Sequence, residues 1–234
     1  MRVVTPDISA ALERLDAAAD PAAARFDAGP RFSGAVAVLP SAFNPPTLAH
    51  EHLLRRALAA FGLHQAAALL TTRNVDKGLY GAGLADRVGM LLALNAEWPD
   101  LGVLASNKAR IVDQAAALSA AFPSARFDFV VGFDTLERLF ARRYYTDMEA
   151  ELAPFFTRHR VLAANRGAAA AEHVRQWIAA HSGRFAERIL ALEIEEHPAS
   201  LSSTKARERA AAGEEADDLP APVARYIAEH GLYR

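Results

Sequence analysis

From Ala35 onward, short apolar runs alternate with longer stretches in which apolar residues recur every three or four positions. The short runs predict strands at Ala35 to Leu39, Ala66 to Thr71, Gly102 to Ala105, Phe127 to Val131, Arg160 to Ala164 and Ile189 to Ile194. The longer stretches predict helices at Leu48 to Phe61, Leu84 to Glu97, Ile111 to Phe122, Thr135 to Phe140, Ala170 to His181, Ser203 to Ala212 and Ala221 to His230. In the first of these, Leu54, Leu58 and Phe61 share one stripe, while Glu51 and Arg55 sit four apart on the exposed side. Strands alternating with helices make a doubly wound, Rossmann-like α/β fold, a parallel sheet with helices on both faces. Such a sheet binds ligands beyond the carboxyl ends of its strands, where strand order reverses.

The segment before Pro30 is alanine-rich and helical in pattern, with Ile8, Leu12 and Leu15 on one face and breaks at Pro6, Pro21 and Gly29-Pro30. The expected organisation is therefore an N-terminal helical extension, residues 1–33, before one domain spanning 34–234.

Composition removes several classes of function. Apolar residues make up 52% and charged residues 23% of the 234 positions, enough for a buried core, and the net charge of -2 argues against a broad nucleic-acid surface. No apolar run approaches the roughly 20 residues that span a bilayer, and no leader pattern opens the chain, so a cytoplasmic location without membrane attachment is expected. The absence of cysteine excludes disulfides and thiolate chemistry. Whether the chain forms a homo-oligomer stays open.

Candidate chemistry lies in the loop after the first strand. Ser41-Ala-Phe-Asn-Pro-Pro-Thr-Leu-Ala-His50 leaves the strand, turns at Pro45 and Pro46, and enters a helix with Thr47 as its natural N-cap. His50 then lies in the first helical turn beside unpaired backbone N–H groups, where the helix dipole favours an anion. Near the C-terminus, Leu201-Ser-Ser-Thr-Lys-Ala-Arg207 puts the hydroxyls of Ser202, Ser203 and Thr204 at a helix start and a guanidinium one turn later. Hydroxyls and free N–H groups hold phosphate oxygens, and an arginine clamps two at once.

The first motif resembles the signature of the nucleotidyltransferase superfamily with a paired-histidine H-x-G-H motif, in the form found in nicotinamide or nicotinate mononucleotide adenylyltransferases. Thr47 replaces the first histidine and Ala49 the glycine, leaving His50 alone to meet the reacting phosphate. The C-terminal motif resembles the family's I-S-S-T-x-x-R, with Leu201 for isoleucine. On this resemblance Val130-Val-Gly-Phe-Asp134 matches the family's G-x-D segment, in which Gly132 allows close backbone approach and Asp134 meets ribose hydroxyls. Lys77, in Asn74-Val-Asp-Lys77, stands where the family carries a phosphate-binding lysine, and Asn165 opens a further nucleotide-facing loop.

The activity implied is transfer of AMP from ATP, with Mg²⁺, to nicotinamide or nicotinate mononucleotide, releasing pyrophosphate. His50, Lys77 and Arg207 are the expected catalytic residues. Ser41, Ala42, Phe43, Asn44, Thr47, Gly132, Asp134, Asn165, Ser202, Ser203 and Thr204 are the expected nucleotide-binding ones. The family holds the pyridine ring by aromatic stacking, but Trp98 reads as a core residue and Trp177 lies within a helix, so no stacking partner is assigned. Another phosphorylated acceptor, an ATP hydrolase or a nucleotide sensor on the same site are the alternatives.

Other patterns carry less. Gly78-Leu-Tyr-Gly-Ala-Gly83 lacks G-x-G-x-x-G spacing, and no P-loop is present. His50 and His52 are two apart and cannot share a helix face, no H-E-x-x-H occurs, and no protein-held metal is expected. His173, His181 and His197 read as surface residues.

Overall fold

The computed structural model describes residues 6–72, 81–164, 171–194, 203–212 and 217–233. Its strands are β1 (Ala23–Arg25), β2 (Gly34–Ser41), β3 (Gln65–Thr71), β4 (Leu101–Ser106), β5 (Ala125–Gly132), β6 (Arg160–Ala164) and β7 (Ile189–Leu192). Its α-helices are α1 (Pro6–Ala17), α2 (Leu48–Phe61), α3 (Leu84–Glu97), α4 (Ile111–Ala121), α5 (Phe133–Leu139), α6 (Met148–Arg158), α7 (Ala171–His181), α8 (Ser203–Ala212) and α9 (Ala221–His230).

The strands form one sheet in the order β1-β4-β3-β2-β5-β6-β7. All neighbours are parallel except β1, which pairs antiparallel with β4. From β2 the chain winds outward through β3 and β4, then returns to the other side of β2 for β5, β6 and β7. The reversal lies between β2 and β5, and the crevice above their carboxyl ends is where this topology binds ligands.

Alternation along each strand divides the core in two. Ala37 and Leu39 face one layer with Leu54, Val88 and Val223 from α2, α3 and α9. Val36 and Val38 face the other, with Leu118, Leu136, Leu152 and Val174 from α4 to α7. Burial on both faces makes the strands read as continuous apolar runs. Helix α2 ends at Gly62, whose φ of 61° supplies the left-handed C-terminal turn.

The structure departs from the sequence reading in three places. Residues 23–25, read as part of a helical segment, form an edge strand, with Ala23 opposite Ser106 and Arg25 opposite Leu104. Helix α5 begins at Phe133, two residues before the expected start at Thr135, with Gly132 as its N-cap, so Asp134 lies in its first turn. Helix α6 was not foreseen; Asp147 caps it by accepting from the Ala150 N–H at 3.0 Å, and Leu152, Phe155 and Phe156 bury its inner face around Pro154. Within the N-terminal segment Ile8, Leu12 and Leu15 are buried against the main core, as their shared face predicts. No helix among the described residues is long and apolar enough to cross a membrane.

Candidate active site

The β2–α2 connection sits at the switch point and is held from four sides. Thr47 is buried and caps α2 in extended conformation. Its backbone N–H donates to Nδ1 of His50 at 3.0 Å, and its Oγ1 lies 2.8 Å from the same nitrogen. This is the return arm of a capping box with histidine in the usual Glu/Gln position. Because Nδ1 accepts from the backbone, the ring proton belongs on Nε2, which donates to Ser41 Oγ at 3.0 Å. Thr47 thus fixes the tautomer that leaves His50 a donor at the end of β2.

Between Ser41 and Thr47 the chain is constrained. Phe43 is buried at φ 44°, a left-handed conformation unusual for a bulky residue, with its ring 5.0 Å from that of His50. The Ala42 carbonyl accepts from Arg87 Nη1 at 3.3 Å, and the Asn44 carbonyl from Arg207 Nη1 at 2.7 Å. The Asn44 side chain accepts through Oδ1 from Tyr233 Oη at 2.7 Å and from the Ala82 N–H at 3.2 Å. Gly81 lies so close that a Cβ there would fall 2.8 Å from Asn44 Oδ1. The Leu48 N–H, expected to be free for an anion, donates instead to the Asp218 carbonyl at 2.9 Å.

The C-terminal motif meets this loop. Ser203 Oγ, at the start of α8, donates to the Pro45 carbonyl at 3.0 Å, and Arg207 Nη2 donates to Thr204 Oγ1 at 3.2 Å on its way to Asn44. Segments 158 and 163 positions apart in sequence therefore converge beside His50. Arg87 was not singled out in the sequence; it is buried, and desolvation lowers its pKa from the ordinary value, with Arg207 adding to that and Tyr233 opposing it. Burial raises the Tyr233 phenol well above its usual range.

Gly132 and Asp134 stand across the crevice at the end of β5, with Asp134 exposed. Lys77, Asn165 and Ser202 lie outside the described residues, as does His197. His173 and His181 are exposed. Trp98 is in the core under the Arg55 guanidinium, 4.1 Å from its ring centroid, while Trp177 packs edge-on to Phe133.

A cavity of about 370 Å³ opens beside Ser41 and Ala42, lined among others by Thr71, Arg110, Gln114, Tyr144 and Tyr145. Arg110 makes four hydrogen bonds, to Asp113 at 2.8 and 3.0 Å, Glu151 at 2.9 Å and the Tyr144 carbonyl at 2.8 Å. Its bonds to Asp113 and then Glu151 raise its pKa further. Tyr145 donates to the Leu139 carbonyl at 2.7 Å, and burial pushes its phenol up to about 12. The two tyrosines escaped the sequence reading; the signal was an Arg-Arg-Tyr-Tyr run just after the helix that follows the switch-point strand.

No family model matches the sequence. A Bordetella petrii protein named nicotinate-nucleotide adenylyltransferase is 30% identical over 208 residues, covering 85% of this chain and 98% of that protein. A Schizosaccharomyces pombe protein named nicotinamide mononucleotide adenylyltransferase is 32% identical over 133 residues, 55% of this chain and 52% of that protein. The fold resembles that of a Plasmodium falciparum nicotinic acid mononucleotide adenylyltransferase solved with NaAD, at a TM-score of 0.63 and 15% identity over 86% of this chain and 97% of that one.

Proposed function

This chain belongs to the nicotinate-nucleotide adenylyltransferase family, and from that premise we propose how its residues divide the work of joining AMP from ATP to nicotinate or nicotinamide mononucleotide. The observation that carries the reading is the convergence of Ser203 and Arg207 on the loop that ends in His50, at the reversal of strand order. Both reactants arrive as phosphates, one already a nucleophile and the other already an electrophile, so positioning and charge stabilisation carry the catalysis.

In this proposal the mononucleotide phosphate attacks the α-phosphorus of ATP in line and pyrophosphate leaves, without a covalent intermediate. His50 donates from Nε2 to the α-phosphate as negative charge grows there, exchanging Ser41 Oγ for a phosphate oxygen. Thr47 holds the ring so that this proton faces outward. Arg207, with the hydroxyls of Ser203 and Thr204 at the start of α8, takes the pyrophosphate, assisted by Lys77 and Ser202. Asp134 accepts from ribose hydroxyls, Gly132 lets the nucleotide approach the end of β5, and Asn165 adds a contact from beyond β6. Ala42, Phe43 and Asn44 shape the loop around the phosphates.

The cavity receives the acceptor. It begins at Ser41, the residue bonded to His50, so an acceptor in it presents its phosphate to the reacting centre. Tyr144 and Tyr145 supply the aromatic surface for the pyridine ring. Magnesium fits as part of the ATP substrate, where it neutralises phosphate charge. Among the described residues no group of three or more histidines and carboxylates is placed to hold a metal ion.

Residues 34–234 act in this proposal as the transferase domain. The test is to incubate the protein with ATP, Mg²⁺ and each mononucleotide separately and resolve the products by mass. The dinucleotide and pyrophosphate are expected. Release of AMP or ADP without dinucleotide, or ATP binding without turnover for any acceptor, would overturn the assignment in favour of a hydrolase or a sensor.

A further inference from the structure

The loop from β4 to α4 places Ala109 and Arg110 in the cavity wall, and it is fastened to the N-terminal segment. Asn107 is fully buried. Its Oδ1 accepts from the Ala22 N–H at 2.8 Å, and its Nδ2 donates to the carbonyls of Ala18 at 2.8 Å and Asp20 at 2.9 Å. The Asn107 N–H closes the set by donating to the Ala22 carbonyl at 3.2 Å. Lys108 Nζ donates to the Ala19 carbonyl at 2.8 Å, and Thr72 Oγ1 to Asp16 Oδ1 at 3.1 Å. On the cavity side the Lys108 carbonyl accepts from Thr71 Oγ1 at 3.2 Å and Gln114 Nε2 at 3.0 Å, and both of those residues line the cavity.

A buried amide with three backbone partners has a single productive orientation, and removing it leaves those partners unpaired. One face of the loop is therefore set by residues 16–25, while the other forms the cavity. We propose that this N-terminal segment is a clamp that sets the geometry of the acceptor cavity, with Asn107 as its positioning residue. The clamp touches neither reactant. It acts through the backbone of 107–110, which aims Arg110 at the Tyr144 carbonyl and places its guanidinium over the ring of Tyr145.

The inference rests on reading the cavity as the acceptor's, and one set of measurements separates the two. Initial rates are measured on the full chain for wild type, Asn107→Ala and Lys108→Met, varying ATP and nicotinate mononucleotide independently. Asn107→Ala is expected to raise the acceptor KM about tenfold and Lys108→Met a few-fold, with the ATP KM within about twofold of wild type. Hydrogen exchange supplies a readout that general destabilisation would not give. Saturating nicotinate mononucleotide alone should slow exchange at the Ala22 and Asn107 amides, neither of which lines the cavity.

If wild type forms no dinucleotide, the reading of the site fails. If it does, and Asn107→Ala folds with both KM values unchanged or raised together, the clamp fails. Should Asn107→Ala not fold, Lys108→Met decides, since its Nζ bond is at the surface; an unaltered acceptor KM together with unaltered exchange overturns the proposal.

Discussion

Arg207 Nη1 donates to the Asn44 carbonyl at 2.7 Å, tying α8 to a loop 163 positions earlier in the chain. The same guanidinium is placed by Thr204, at 3.2 Å from Nη2. A planar fork bonds a carbonyl and a hydroxyl in fixed relative directions, a geometry that the point-like ammonium of a flexible lysine does not reproduce. Arg207→Ala should lower kcat/KM by about 10² to 10³, and Arg207→Lys should recover less than a tenth of that loss. Steady-state kinetics with ATP varied checks both, and a lysine variant equal to wild type would mean that only the charge matters.

His50 and Thr47 predict a graded pair. His50→Ala removes the Nε2 donor and should cut kcat by about 10² to 10³ with ATP binding largely kept. Thr47→Ala leaves the backbone N–H on Nδ1 and removes the contacts of Oγ1, to Nδ1 and in the capping box. It should cost about tenfold, the scale of one net hydrogen bond. ATP affinity by calorimetry and single-turnover rates distinguish the outcomes; an unchanged turnover in His50→Ala would remove His50 from the reaction.

What was legible in the sequence follows from the range of the physics involved. Apolar periodicity is local, so α2 and β6 were read to their observed ends, and helix-start chemistry is local, so Thr47, His50, Ser203 and Arg207 could be named from short motifs. The edge strand β1 was not readable, because Ala23-Ala24-Arg25 has no β-branched residue and becomes a strand only by pairing with β4. Tyr233 was beyond reach for a related reason: its partner Asn44 is 189 positions away. Arg87 looked like an ordinary helical arginine, and only the folded chain shows it buried and bonded to the carbonyls of Ala82 and Ala42.

Gly81 gives a test of how tightly the loop is packed. Its φ is 83°, and an added Cβ would lie 2.8 Å from both Asn44 side-chain polar atoms and 3.1 Å from Tyr233 Cε1. Gly81→Ala combines left-handed strain with displacement of Asn44, and should destabilise the fold by about 1 to 3 kcal/mol. Thermal unfolding should show a lower Tm, and kcat/KM should fall with it. A variant with wild-type Tm and activity would show that the loop yields freely.

His159 makes the fold sensitive to acid. It is buried, with Nε2 2.9 Å from Ser119 Oγ and Nδ1 against the Phe127 backbone, and burial pushes its pKa down from 6.5 to about 4. A folded-state pKa below the unfolded one means that the unfolded chain takes up the proton first. This contribution is therefore complete above about pH 6.5 and is lost as pH falls toward about 4, at up to about 1.4 kcal/mol per pH unit. His159→Gln keeps polar atoms near both partners but cannot titrate. Urea unfolding between pH 7 and 4 should show a steeper loss of stability in wild type than in His159→Gln, by as much as one proton's slope, even if the variant is less stable at pH 7. Parallel slopes would mean that His159 takes up its proton equally readily in the folded and unfolded chain.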